Sequence, residues 1–260
     1  MAARAMWKGT LQVGRHDVPV KLYAALQDRG VHFRLLDKRG QPVAQQLIDP
    51  SSGDPVPYAE VRRGFAVREG FVLLDKDELD RLTPAPTRDI AVSGFVAASK
   101  LGPEWLLRPY YLGPDGNQDA YFALAAALTA EHKHGVAHWV MRGNAYSGLL
   151  SARDGYLMLT TLRHADEVIA QGALPRPEGR AHSERELKMA EQLIHAYEDV
   201  FDPNQYADEY RDRVLAFVEA KAKGSKPRLR KPVIKRSEGG LTDALAKSLT
   251  VAHKKERHVA

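Results

Sequence analysis

The sequence predicts a mixed α+β fold built on an antiparallel β-barrel, and three observations lead there. Between residues 5 and 163, short apolar runs with partial period-two alternation recur; tight-turn signals separate them, and only one long helical pattern interrupts them. Sheet with few intervening helices favours an antiparallel barrel over a doubly wound fold.

The elements follow in order. Leu11/Gln12/Val13 and Val18/Val20/Leu22 partly alternate on either side of Gly14-Arg15-His16-Asp17, which reads as strand, turn, strand. Pro19 lacks a ladder donor and belongs at a strand start or edge. By periodicity alone Lys21 is a snorkelling edge lysine. Val31 to Leu35 predicts a strand leading into an Asp37-Lys38-Arg39-Gly40 turn, and Val43 to Ile48 a further run before the Ser51–Pro55 turn cluster. Tyr58 to Gly64 reads as a helical turn, Phe71 to Leu74 as a strand, Asp75 to Leu82 as a short helix and Arg88 to Val96 as sheet. Over Gln118 to Lys133, Ala120, Tyr121, Leu124, Ala125 and Leu128 recur at helical spacing, predicting an amphipathic helix against the sheet. Val136 to Arg142, Tyr146 to Leu150 and Tyr156 to Arg163 return to strand, with Asp154-Gly155 as a hairpin signal.

At Gln171–Gly179 a Pro/Gly-rich linker changes the character of the chain. Ser183 and Glu186 form a capping box for a helix to Val200, with Leu187, Ala190, Ile194, Tyr197 and Phe201 on one face. Asp202-Pro203 starts a second helix, with Tyr206, Tyr210, Val214 and Phe217 along one face. These stripes require a cover: their own barrel or another molecule.

The chain has 260 residues and no cysteine, which removes disulfides, thiolate zinc sites and cysteine nucleophiles. No apolar run suits a signal peptide or a bilayer span, so a cytoplasmic protein without membrane contact is expected. Residues 221–260 hold twelve Lys/Arg against three Asp/Glu, whereas residues 1–220 hold 26 against 30, so the tail supplies all of the net positive charge. Residues 223–260 have too little apolar surface to fold alone and are expected to be largely disordered. Leu241, Leu245 and Leu249 allow one short amphipathic helix there.

Arg4-Ala5-x-Trp7-Lys8-Gly9 followed by Val18-Pro19-Val20-Lys21-Leu22-Tyr23 resembles the start of the bacterial Ku proteins. Further pieces match in order: Pro109-Tyr110-Tyr111-Leu112-x-Pro114, Val140-Met141-Arg142-Gly143, Arg153-Asp154-Gly155, Leu162 to Val168, Phe201-Asp202-Pro203, Tyr206 and Asp208-Glu209-Tyr210-Arg211. Together they span roughly residues 4–220; the Gly14–Asp17 turn is more polar than the family pattern. The resemblance implies a homodimeric ring that slides onto double-stranded DNA ends, protects them and recruits an ATP-dependent multidomain repair ligase near the bacterial nucleoid. It implies a barrel core over residues 1–180, a bridge over the duplex at about 27–92, a dimerisation arm at 181–222 and a basic tail beyond.

In that setting the DNA-facing candidates are Lys21 at the bridge foot, Lys38, Arg39, Arg62, Arg63 and Arg88 in the arch, and Arg142. Lys226, Arg228, Arg230, Lys231, Lys235 and Arg236 join them from the tail. Cations lining a hole gain free energy from counterion release whatever the base sequence. No helix-turn-helix or zinc-finger pattern announces base readout. The dimer-interface candidates are Leu187, Ile194, Tyr197, Phe201, Tyr206, Tyr210, Val214 and Phe217.

The sequence contains no Gly-x-Ser-x-Gly elbow, Walker sequence or dinucleotide fingerprint. His132, His134 and His138 cluster but read as surface histidines. Asp75-Lys76-Asp77-Glu78 starts like a calcium loop but has Asp80 where glycine is needed. No cofactor and no metal are expected. The alternatives to a non-enzymatic DNA-end clamp are a sequence-independent architectural DNA-binding protein and a metal-dependent nuclease whose carboxylates are not recognisable.

Overall fold

The computed structural model describes residues 4–176 and 178–225. Among these, seven strands close a barrel: β1 (Trp7–Val13), β2 (His16–Ala24), β5 (Asp89–Ala97), β6 (Leu106–Pro114), β7 (Lys133–Met141), β8 (Asn144–Arg153) and β9 (Tyr156–Leu162), in the order β1-β2-β6-β9-β8-β7-β5. Neighbouring strands run antiparallel except at the closing seam, where β1 and β5 are parallel over Thr10↔Asp89 to Val13↔Val92. The antiparallel barrel therefore stands, with one parallel joint that local hairpin signals could not announce. A bulge between Val92 and Gly94 bends β5 as it passes from β1 to β7.

Period-two alternation sends Leu11, Val18, Val20, Leu22, Leu112, Ala137, Trp139, Leu157 and Leu159 into one buried core. Burying each large aliphatic side chain contributes about 1.5–3 kcal/mol. Helix α2 (Gln118–Ala130), capped by the Asn117 side chain, packs on β8 and β9 through Tyr121, Ala125 and Leu128. The fully buried Tyr121 hydroxyl accepts from Leu157 N at 2.8 Å and donates to the Leu112 carbonyl, joining β6 and β9 where those two residues pair.

Between β2 and β5 the chain leaves the barrel, and no residue from 25 to 88 is buried. This excursion carries β3 (Arg63–Val67), β4 (Gly70–Leu74) and α1 (Lys76–Leu82), the last with an Asp75/Glu78 capping box. The strands expected at 31–35 and 43–48 do not form. Isolated bridges, Leu36↔Pro42 and Ile48↔Pro55, hold two turns instead. In the first turn, Asp37 Oδ1 accepts from Arg39 N and Gln41 N, both at 2.8 Å. The two runs touch at the first turn, where Val43 N–H donates to the Leu35 carbonyl at 3.1 Å, but among the described residues neither extends into a ladder. Tyr58–Glu60 is a single 3-10 turn, so the helical reading holds only for its first residues.

A second compact unit includes the described residues from Leu174 onward. Helix α3 (Glu184–Ala196) has the Ser183/Glu186 capping box and stops four residues before the expected end, with Tyr197 as its C-cap. Asp202-Pro203 opens only a 3-10 turn, Pro203–Gln205, because the Asp202 carboxylate closes back on Asn204 N at 2.9 Å. Helix α4 (Glu209–Ala222) restarts at a separate cap, Asp208, whose side chain accepts from Arg211 N. Tyr206 thus lies outside the helix to which its spacing assigned it.

Candidate nucleic-acid interface

The β1–β2 register sets Lys8 directly opposite Lys21, an arrangement that repels. Asp115, just beyond β6, relieves it: its Oδ1 lies 2.7 Å from Lys21 Nζ and its Oδ2 2.9 Å from Lys8 Nζ. The Asp115 N–H donates to the Pro19 carbonyl at 3.0 Å, which fixes the carboxylate beside both lysines. The Lys21 hydrogen bond, then that of Lys8, holds the Asp115 carboxyl below its usual range. The same Asp115 bond raises Lys21. Lys21 is therefore one member of a surface triad with a single net positive charge, rather than a lone snorkelling lysine.

Arg88, just before β5, and Arg142, in the β7–β8 turn, are far apart in sequence but line one cleft of about 240 Å³ with Trp7, Thr87, Val140 and Gly143. Arg62 and Arg63 line another, of about 710 Å³, where Lys76 and Arg81 are mixed with Asp75, Asp77, Glu78 and Asp80. Those carboxylates offset much of the positive potential expected there. Arg39 pairs with Asp37 in its own turn at 3.6 Å, and Lys38 is exposed beside it. Lys226, Arg228, Arg230, Lys231, Lys235 and Arg236 lie outside the described residues.

Of the arm residues, Leu187, Ile194, Tyr197, Phe201, Tyr206 and Tyr210 are exposed in the single chain. Phe201 and Tyr206 stack on each other, 5.2 Å between ring centroids. Val214 and Phe217 are already half-covered, and Leu215 and Val218 are the exposed aliphatic residues of α4 instead. Because α4 begins at its own cap, the face it presents could not be extrapolated from Tyr206. The sequence reading also missed Lys8 and Asp115; strand register was the signal that pairs Lys8 with Lys21.

The three histidines separate. His132 lies two residues beyond the end of α2 with φ +50°, His138 meets Ser147 Oγ at 3.1 Å, and His134 has a buried Nδ1 without a hydrogen-bond partner among the described residues. Burial pushes the His134 imidazole down. Among the described residues, no group of three or more His, Asp or Glu side chains could hold a metal ion.

The described residues thus form a closed barrel interrupted by a long uncovered excursion, with a basic cleft where the excursion rejoins the barrel at Arg88. The Ku70/Ku80 beta-barrel domain matches residues 13–189, and the chain belongs to the Ku family. It is 37% identical over 256 residues to non-homologous end joining protein Ku 2 of Geotalea uraniireducens (strain Rf4), covering 96% of this chain and 98% of that protein. It is 34% identical to non-homologous end joining protein Ku of Anaeromyxobacter sp. (strain K), covering 97% and 87% respectively. The Coxiella burnetii (strain RSA 331 / Henzerling II) protein of the same name is 31% identical, with coverages of 87% and 85%.

Proposed function

We propose that this protein is a double-stranded DNA end clamp for non-homologous end joining in the bacterial cytoplasm. Two copies form a ring that admits a broken end, shields it and recruits an ATP-dependent multidomain DNA repair ligase, while the ring itself performs no chemistry. The observation that carries this reading is the near full-length similarity to relatives named for end joining. The excursion supports it physically: residues 25–88 expose Phe33, Leu35, Phe65, Phe71 and Leu73 and bury nothing. A two-stranded sheet such as β3–β4 is marginal alone and gains from a second surface.

In this reading, cations lining the hole hold the phosphates of either strand without reading bases, and ring closure supplies selectivity for ends. A competition between linear duplex and the same sequence as a sealed circle, run across a salt series with magnesium present, tests it. The linear form should win and remain intact. Equal binding of both forms would favour an architectural protein, and loss of the linear DNA a nuclease.

A further inference from the structure

The β7–β8 hairpin turns through Arg142 and Gly143, with φ of +53° and +77°. Both central residues are thus left-handed, a geometry that favours Asn-Gly or Asp-Gly, because a Cβ there meets the following carbonyl oxygen and only a short polar side chain offsets that cost by bonding locally to the backbone. The β8–β9 hairpin makes the same turn with the favoured pair, Asp154-Gly155, at φ of +52° and +78°. An arginine at the equivalent place in β7–β8 breaks a local preference that the neighbouring hairpin obeys, and such departures concentrate where a side chain has a task.

The surroundings indicate the task. Arg142 lines the cleft that also holds Arg88 and Trp7. The Arg88 carbonyl accepts from Thr10 N at 2.8 Å, which ties this arginine to β1. The Trp7 ring lies over Gly9, where a Cβ would come within 2.1 Å of the ring and 2.4 Å of the Arg88 carbonyl. The wall of the cleft is therefore fixed by backbone and a packed indole. Thr87 Oγ1 is engaged with Asp89, donating to Oδ2 at 3.2 Å. Among the described residues, neither guanidinium is seen in an ion pair or hydrogen bond, and both are exposed to solvent.

We propose that Arg88 and Arg142 form one phosphate-holding cleft and jointly grip a single phosphodiester of the bound DNA. The forked donors of two guanidiniums match the oxygens of a phosphate group, and a rigid wall limits the ways in which it can sit. This rests on the end-clamp reading and sharpens it: two basic residues that sequence treats as separate contacts act as a unit.

The test is a double-mutant cycle on DNA binding by the full-length protein, using Arg88→Ala, Arg142→Asn and their combination, with inorganic phosphate as a competitor. Asn suits the left-handed turn, so Arg142→Asn should fold with unchanged or higher Tm. Each single variant should bind linear duplex about tenfold more weakly, and the double variant little more weakly than either. The salt dependence should flatten in all three by one phosphate contact per copy, about 1.8 in the logarithmic slope for a ring of two copies. Losses that multiply in the double variant, or unchanged affinity in Arg142→Asn, would overturn the shared cleft. Half-maximal displacement by free phosphate at the same concentration for wild type and double variant would also count against it. Preference for linear over circular DNA should survive in every variant; its absence in the wild type would instead refute the end-clamp reading.

Discussion

Asp115 sets the charge that the barrel edge offers to a polyanion. With its carboxylate in place, Lys8 and Lys21 spend part of their field on a neighbour 2.9 and 2.7 Å away. Asp115→Asn should therefore tighten binding to linear duplex several-fold at low salt and steepen the salt dependence, as read in a fluorescence-anisotropy titration. An unchanged slope would remove both lysines from the DNA path. His134 makes a separate prediction about acid stability. Its imidazole is depressed below 6.5 by burial, so the folded state favours the neutral ring. Its contribution is present above 6.5 and is lost as pH falls through the lowered folded value. Between pH 7 and 5, the fall in Tm should be smaller for His134→Phe than for wild type. The Arg180–Glu186 pair acts lower: Glu186 is held well below 4.5, first by Arg180 and then by the Ser183 backbone. Its contribution is lost only in stronger acid.

At the scale of elements, Tyr121 is the joint between α2 and the barrel. Tyr121→Phe leaves Leu157 N without its acceptor in a buried place, at a cost of about 1–3 kcal/mol. The melting temperature should fall by several degrees, with DNA binding retained well below the transition. On the arm, Tyr197 and Tyr210 are exposed in the single chain, so converting both to Asp should leave the fold intact and yield monomers by sedimentation. A persisting dimer would place the interface elsewhere. Barrel strands were readable in sequence because each buries alternate residues, as Val18, Val20 and Leu22 do. The failures share a cause: residues 31–48 show strand chemistry but, among the described residues, pair only at isolated bridges, and Asp202-Pro203 resembles a helix start although Asp208 supplies the true cap. Local pattern cannot tell which of two adequate caps the chain uses.

For the whole molecule, the family and the barrel were legible from short ordered motifs, whereas the grouping of the basic residues was not. Lys8, Lys21 and Asp115 meet through strand register, and Arg88 and Arg142 meet in one cleft of the folded barrel. Arg62 and Arg63 looked equally promising, but α1 and its cap supply four carboxylates to their cleft. Arg62→Glu with Arg63→Glu should accordingly weaken DNA binding less than the loss of Arg88 and Arg142. The central claim is topological, since a threaded ring is retained by the continuity of DNA as well as by charge. Its most direct test is to load the protein on linear duplex, seal that duplex into a circle by ligation, and challenge it with high salt. The account predicts that the protein stays on the sealed circle at salt that strips it from linear DNA; release from both at the same salt would contradict it.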